Sequence, residues 1–360
     1  MRLLFITRKY PPSIGGMELF AYDLSSSLKE KIDLSLIQWG GSNKALPIIL
    51  PLLLLKGSSQ LLTNKIDVIH MQDCMIAPIG YVLSRVFRKP FTVVVHGLDI
   101  TFKNPVYQAA IPWAVRKADK VFCISQAAAD AAIERGVPQS KIQILTLAVA
   151  DKLHGTADKN SLRQKLELSD DSKILVTVGR LVKRKGVAWF IDEVLPGLVR
   201  RYPELIYVVV GEGSQRPIIE AVIEKNELHK NVKMLGRLDD DLYKAAYNGS
   251  DIFVMPNINV PGDIEGFGIV LLEASLCEMP VVASNTEGIR DAVKDGSNGV
   301  LVPVMDKAAF ARAIYEFLDR PNEALKFGKK SRNYSLENYQ WSKIADRYIS
   351  NYKEIVKAKK

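Results

Sequence analysis

Glu265-Gly266-Phe267-Gly268-Ile269-Val270-Leu271-Leu272-Glu273 decides how the rest of this 360-residue chain is read. It follows a strand-like run, Asp251 to Met255, and a loop that holds Pro256 and Gly262. It then runs into Ala274-Ser275-Leu276-Cys277, an apolar helical continuation. Glu265 falls in the loop, where Gly266 and Gly268 let the backbone turn with its N–H groups exposed. Glu273 falls about a turn inside the helix, among Val270, Leu271, Leu272 and Ala274. A carboxylate in that company lies on the wet side or is buried with a partner, because an unpaired buried charge costs several kcal/mol. Two readings stay open. Glu273 is an ordinary solvated side chain, or both carboxylates face a crevice at a helix N-terminus and accept hydrogen bonds from a polyol.

Outward from this stretch, strand-like and helix-like segments alternate along the chain. Val/Ile-rich strands are expected at Ile174–Val178, Ile206–Val210, Val232–Leu235, Ile252–Met255 and Pro280–Ala283, with helices between them. The first half repeats the pattern from Arg2–Thr7 through Phe91–Val95 to Ile142–Leu145. Periodicity lapses between them, over Ala148 to Asn160, a polar and irregular stretch that reads as a linker. Short βα repeats with continuously apolar strands mean parallel sheets covered on both faces. The fold class is therefore α/β, with two Rossmann-like doubly wound domains facing a central cleft. Their expected limits are 1–158 and 159–338, and a last helix over 339–360 packs back toward the first domain.

Composition narrows the class. A chain that is 48% hydrophobic and 25% charged is an ordinary globular protein. Cys74, Cys123 and Cys277 are odd in number, far apart and without metal-ligand spacing, which points to a reducing, cytoplasmic compartment and away from zinc. Met1–Thr7 reads as a first strand and not a signal peptide. The longest apolar run, Ala45 to Leu55, holds two prolines and is about half the length of a spanning helix, so no transmembrane segment is expected. Residues 1–150 hold 17 of the 49 Lys and Arg but only 10 of the 40 Asp and Glu. That imbalance fits an anionic small molecule or anionic lipid. No basic cluster is interleaved with aromatics, so no nucleic-acid partner is expected.

Every candidate site sits just past a strand. Gly179-Arg180-Leu181-Val182-Lys183-Arg184-Lys185-Gly186 brings four cations into a strand-to-helix turn. Arg180 by bidentate bonds and Lys185 as a point charge can clamp a diphosphate, whereas Lys183 and Arg184 read as solvated. Gly15 and Gly16, in Pro11-Pro12-Ser13-Ile14-Gly15-Gly16, allow backbone N–H groups to approach a phosphate at the first helix, or form a plain turn. Gly211, in Gly211-Glu212-Gly213, is a weak candidate for binding the nucleotide, because the run lacks the third glycine of a dinucleotide fingerprint. His96 and Asp99 end a buried strand, as substrate contacts or as satisfied core residues. Asp263 and Asp239–Asp241 suggest metal ligands only weakly, because the run resembles a helix N-cap.

Taken together, G-R-L-V-K-R-K-G, G-E-G-S, E-G-F-G-I-V-L-L-E and D-G-S-N-G-V-L-V-P resemble the C-terminal domain of retaining glycosyltransferases of family four, which have the GT-B fold. P-P-S-I-G-G-M-E and H-G-L-D resemble that family's N-terminal domain, so the likeness spans residues 1 to about 345. The resemblance implies that Glu273 binds the donor's ribose and Glu265 the donor sugar, with the backbone of Gly268, Ile269 and Val270 near sugar and phosphate. It implies that Arg180 and Lys185 hold the diphosphate, with Gly16 at the distal phosphate. His96 then lies near the reaction centre and Asp99 on the acceptor side. It implies a sugar moved from a UDP- or GDP-sugar to an acceptor hydroxyl with its anomeric configuration kept, and no metal or other cofactor. The departing phosphate oxygen would help take the acceptor's proton. One departure is plain: the usual G-G-x-x-E reads Glu287-Gly288-Ile289-Arg290-Asp291.

A glycoside hydrolase would use two carboxylates but needs no cationic clamp. A sugar phosphorylase on the same fold would keep Arg180 and Lys185 for inorganic phosphate, and a sugar-nucleotide sensor would bind without turnover. For the acceptor, the basic first half and the apolar Leu46–Leu55 patch suggest a lipid-linked or lipopolysaccharide-type glycan, reached by peripheral contact with an anionic membrane face. The competing reading is a buried helix with incidental surface charge.

Overall fold

The computed structural model describes residues 1–13 and 15–359. Ile14, within the Pro11–Gly16 motif, and Lys360 lie outside the described residues. The chain begins β1 (Arg2–Thr7), α1 (Gly16–Lys29), β2 (Asp33–Gln38), α2 (Leu46–Thr63), β3 (Val68–Met71) and α3 (Ala77–Phe87). It continues with β4 (Phe91–Val95), α4 (Leu98–Thr101), α5 (Pro105–Arg116), β5 (Lys120–Cys123), α6 (Gln126–Glu134) and β6 (Ile142–Ile144). Beyond an irregular stretch come α7 (Ser161–Lys165), β7 (Lys173–Val178), α8 (Val187–Trp189), α9 (Leu195–Arg201) and β8 (Leu205–Val210). Then follow α10 (Arg216–Lys225), β9 (Val232–Gly236), α11 (Asp240–Gly249), β10 (Ile252–Met255), α12 (Ile269–Leu276) and β11 (Val281–Ser284). The last are α13 (Ile289–Ala292), β12 (Val300–Val302), α14 (Lys307–Asp319), α15 (Pro321–Asn338) and α16 (Trp341–Ala358).

The strands form two six-stranded sheets, β2-β1-β3-β4-β5-β6 and β12-β11-β10-β7-β8-β9, and every pairing in both is parallel. Continuously buried runs such as Leu3–Ile6 and Leu205–Val210 explain why: a strand buried on both faces needs helices on both faces. The winding reverses once in each sheet, between β1 and β3 in the first and between β7 and β10 in the second. Ligands of such sheets bind beyond the C-terminal strand ends at the reversal. The chain divides into two compact units. One is Met1–Ala148 with Ile264–Phe267 and Tyr339–Lys360; the other is Val149–Asp263 with Gly268–Asn338.

In the first unit α16 belongs to the core. Tyr348 and Tyr352 set their rings edge-on to His70, at 5.9 and 5.7 Å. Tyr352 Oη lies 2.9 Å from His70 Nδ1, and His70 Nε2 lies 2.9 Å from Gln72 Oε1. Burial lowers the His70 pKa to about 4, so this imidazole is a neutral core group. In the second unit Phe190, Tyr207 and Phe310 centre the core, and the Thr177 and Tyr207 hydroxyls lie 2.6 Å apart.

Three features differ from the sequence expectation. The single helix expected over Ala188–Arg200 is interrupted by a π turn, Phe190–Val194, just before Pro196, which has no N–H for the regular ladder. The three-residue β12 and four-residue α13 are too short to show a period. The helix expected over Leu46–Thr63 forms with those bounds, so what fails is the short length read from the apolar run at Ala45–Leu55. By length and composition Asn43–Thr63 is long enough to cross a membrane, whereas here it packs as the crossover from β2 to β3.

Candidate active site

In the second unit the candidates collect at the reversal between β7 and β10. Gly179-Arg180 leaves β7, and Lys183–Lys185 form a 3₁₀ turn closed by Gly186 at φ 65°. A Cβ on Gly186 would meet the Pro256 carbonyl oxygen at 1.9 Å, so the loop after β7 presses on the loop after β10. Ile258 N donates to Arg184 O at 2.8 Å, and the Arg184 guanidinium pairs with Asp263 at 2.7 Å. Arg184, expected as solvated, is thus a buried clip between the two loops, and Asp263 is its counter-ion. The Lys185 side chain is also buried and crosses Gly179, where a Cβ would lie 3.5 Å from Lys185 Cε and 3.8 Å from Nζ. Arg180 is exposed. Buried stem and exposed fork suit the two roles of point charge and bidentate donor.

Gly268 caps α12 in the left-handed region at φ 83°, and a Cβ there would touch Met255 Cε at 3.3 Å. The helix N-terminus therefore stands at the end of β10. Ile269 and Val270 are half-buried in its first turn, where main-chain N–H groups lack intrahelical partners and suit an anion. Glu273 is half-buried, and its Oε2 accepts from Tyr247 Oη at 2.9 Å and Tyr243 Oη at 3.1 Å. Burial raises its pKa above the ordinary carboxylate value, and the two phenol bonds oppose the shift. Tyrosine hydroxyls are thus the partner that its apolar flanks require. Gly211 serves packing: at φ 131° its added Cβ would meet the Gly179 carbonyl oxygen at 2.0 Å.

In the first unit the reversal lies between β1 and β3, and a pair unnoticed in the sequence spans it. Arg8 Nε sits 3.0 Å from Asp73 Oδ1, with both side chains buried. Burial raises the Asp73 pKa, and the Arg8 charge pulls it back. Beside this pair, His96 Nε2 lies 2.8 Å from the Gln72 carbonyl oxygen. A carbonyl only accepts, so Nε2 carries the proton and Nδ1 keeps the lone pair in the neutral ring. Asp99 takes His96 N at 2.8 Å and Cys74 N at 3.1 Å, which makes it the tie between the turns after β3 and β4. Glu265 is 7% exposed in the segment laid on His96-Gly97. A Cβ on Gly266 would meet His96 O at 2.7 Å, and one on Gly97 would meet Ile264 Cδ1 at 2.9 Å. The fold therefore brings together His96, Asp99 and the Glu265 segment. Gly15 is the N-cap of α1, where a Cβ would strike Glu18 Oε2 at 2.4 Å, while Gly16 faces open space.

Asp239 caps α11 by accepting from Leu242 N at 2.8 Å. Among the described residues no three His, Cys, Asp or Glu side chains group to hold a metal ion.

Comparison with known proteins agrees with this layout. The family model for glycosyl transferases group 1 matches residues 158–334, and that for glycosyltransferase family 4 matches residues 14–151. The alpha-D-kanosaminyltransferase of Streptomyces kanamyceticus is 26% identical over 289 residues, covering 76% of this chain and 73% of the relative. The GDP-mannose-dependent alpha-(1-6)-phosphatidylinositol monomannoside mannosyltransferase of Mycolicibacterium smegmatis is 25% identical over 364 residues, 94% of this chain and 95% of the relative. The crystal structure of Anabaena HepE in complex with UDP and glucose superposes with a TM-score of 0.77 at 20% identity, covering 98% of this chain and 100% of that one. That likeness shows the fold, GT-B. With one family model on each unit and the motifs at the strand ends where the fold holds ligands, the chain belongs to the glycosyltransferases of group 1, family four.

Proposed function

We propose that the protein is a retaining, metal-independent glycosyltransferase that takes a sugar from a UDP- or GDP-sugar and passes it to a hydroxyl of a glycan or lipid-linked acceptor. The observation that carries this is Gly186 pressed on Pro256, which locks the Arg180–Lys185 turn beside the end of β10, where the α12 N-terminus also stands. Two cations and unpaired helix amides at one reversal point are what a diphosphate needs. Glu273 then meets the ribose at Oε1, the oxygen that the tyrosines do not use. In the first unit Glu265 and His96 meet the donor sugar, Gly16 the distal phosphate, and the Asp99 turn lies toward the acceptor.

The acceptor oxygen bonds to the anomeric carbon as the bond from that carbon to the phosphate oxygen breaks. The nucleoside diphosphate leaves, and the acceptor's proton passes to the departing phosphate oxygen. Arg180 and Lys185 stabilise the charge that develops there. Named activities of relatives support the donor class: one uses GDP-mannose, and HepE binds UDP. A lipid-linked acceptor on the cytoplasmic membrane face, in cell-surface glycan or lipopolysaccharide synthesis, fits the basic first unit. Calorimetry with UDP and GDP tests the reading. One of them should bind, and no heat with either would overturn it; sugar phosphate formed only with inorganic phosphate would instead mark a phosphorylase.

A further inference from the structure

We propose that the outer surface of the α2, α3 and α5 layer seats on an anionic lipid bilayer, with α2 lying along the interface. The sequence of α2, L-P-I-I-L-P-L-L-L-L-K-G-S-S-Q-L-L-T, has no acidic residue and a single lysine. A helix apolar on all sides is normally buried on all sides. Only 11% of the apolar window in Asn43–Thr63 is buried. One row packs inward: Leu53 is 3% exposed, and a Cβ on Gly57 would meet Leu83 Cδ1 at 2.7 Å and Ile6 Cδ1 at 3.4 Å. The outward row is Ile48, Leu52, Leu55 and Leu62, exposed by 68, 41, 65 and 76%. Their spacing, four, three and seven residues, keeps them on one helix face. Core packing therefore accounts for one side of α2 and leaves its opposite side as apolar as the first.

The layer continues this surface. α2 packs on α3, and α3 on α5, where Tyr81 and Trp113 meet edge to face at 4.8 Å. Val82 and Val86 of α3 and Val106 of α5 are exposed by 42, 67 and 78%. Between Asp33 and Asp119 the chain carries nine Lys and Arg against three acids, Asp67, Asp73 and Asp99. Asp73 and Asp99 are buried, which leaves Asp67 as the partly exposed acid of this whole stretch. Exposed Lys44, Lys56 and Lys65 stand before, within and after α2.

The occupant follows from that chemistry. Leucines flanked by cations of one sign match acyl chains beneath anionic headgroups. A second copy would set cation against cation, and an aqueous anion would leave the leucines in water. A spanning α2 is disfavoured because Leu53 and Gly57 would have to leave the sheet that they pack on. The inference does not rest on the transferase reading, although a lipid-linked acceptor would give it a purpose.

Flotation of the full chain with phosphatidylcholine vesicles, with and without phosphatidylglycerol, tests it. The chain should float with the anionic vesicles at least about tenfold better than with the neutral ones, and high salt should weaken this. Leu55→Gln with Leu62→Gln should reduce flotation about tenfold. Lys56→Glu with Lys65→Glu should do the same on anionic vesicles only. All these side chains are exposed, so melting temperature should stay unchanged, and nucleotide calorimetry reports the donor site separately. No flotation on anionic vesicles, or flotation indifferent to the leucine pair, would overturn the proposal. So would light scattering that shows a dimer lost in the leucine variant, because the face would then join two copies.

Discussion

Gly186 and Pro256 stand closer than any residue with a side chain allows: a Cβ on the glycine would fall 1.9 Å from the proline's carbonyl oxygen. Gly186 also occupies the left-handed region at φ 65°, which costs a non-glycine residue about 1–2 kcal/mol by itself. Gly186→Ala should therefore destabilise the second unit by more than about 2 kcal/mol in urea melts and abolish nucleotide binding. A variant that melts normally would show that the two loops are free to separate.

Arg180 should behave in the opposite way. Its side chain is exposed, so Arg180→Ala should leave stability within about 0.5 kcal/mol of the parent. Turnover should fall about a hundredfold, as expected when a donor to a developing negative charge is lost. Parallel thermal melts and initial-rate measurements check both halves of this expectation. Unchanged turnover would remove Arg180 from the diphosphate.

Glu273 should trade stability for binding. Burial raises its pKa above the unfolded 4.5, so over that window the folded chain binds more protons than the unfolded one. Stability from this group is then greatest at acid pH and is lost as pH rises through the folded pKa. Glu273→Gln keeps an acceptor for Tyr243 and Tyr247 without the buried charge. It should gain stability relative to the parent between pH 4 and 7 while losing nucleotide affinity. Urea melts across that range and calorimetry at pH 7 test the two effects separately.

What the sequence disclosed follows from where its signals are local. Apolar runs such as Phe91–Val95 and Ile206–Val210 are strands because burial on both faces needs no partner to be recognised. Motifs at strand ends placed Arg180, Lys185 and Glu265 for the same reason. The Tyr243 and Tyr247 pair was legible in principle, since a spacing of four sets both hydroxyls on one face of α11. Nothing local says that this face meets Glu273, about a further 30 residues on. Gly266 over the His96 carbonyl, and Ser331 and Ser335 on Ser275 Oγ at 2.6 and 2.7 Å, are contacts of the same kind. Gly211 shows the converse ambiguity, because a glycine that admits a neighbouring backbone looks in sequence like one that admits a phosphate.

Arg8 and Asp73 were unreadable for that reason also, being 65 positions apart. Arg8→Met would leave a buried carboxylate without its counter-ion, a change that typically costs about 3–5 kcal/mol. The first unit should then melt earlier at pH 7 and recover part of the loss in acid, where Asp73 takes a proton. Equal destabilisation at pH 7 and pH 4.5 would mean that the pair acts by packing alone.

His70 predicts acid lability in the first unit. Burial lowers its pKa to about 4 from 6.5, so between those values the unfolded chain binds the extra proton and the folded chain does not. Stability from this group is complete above pH 6.5 and is lost as pH falls toward about 4. Near-UV circular dichroism should follow this, because Tyr348 and Tyr352 pack on the imidazole and their environment is lost when it charges. His70→Asn should lower stability at every pH, through the cavity it leaves, yet flatten the slope between pH 6.5 and 4. The slope and not the level isolates the titration: a variant that keeps the parent's slope would assign the acid lability to Asp73 or another group.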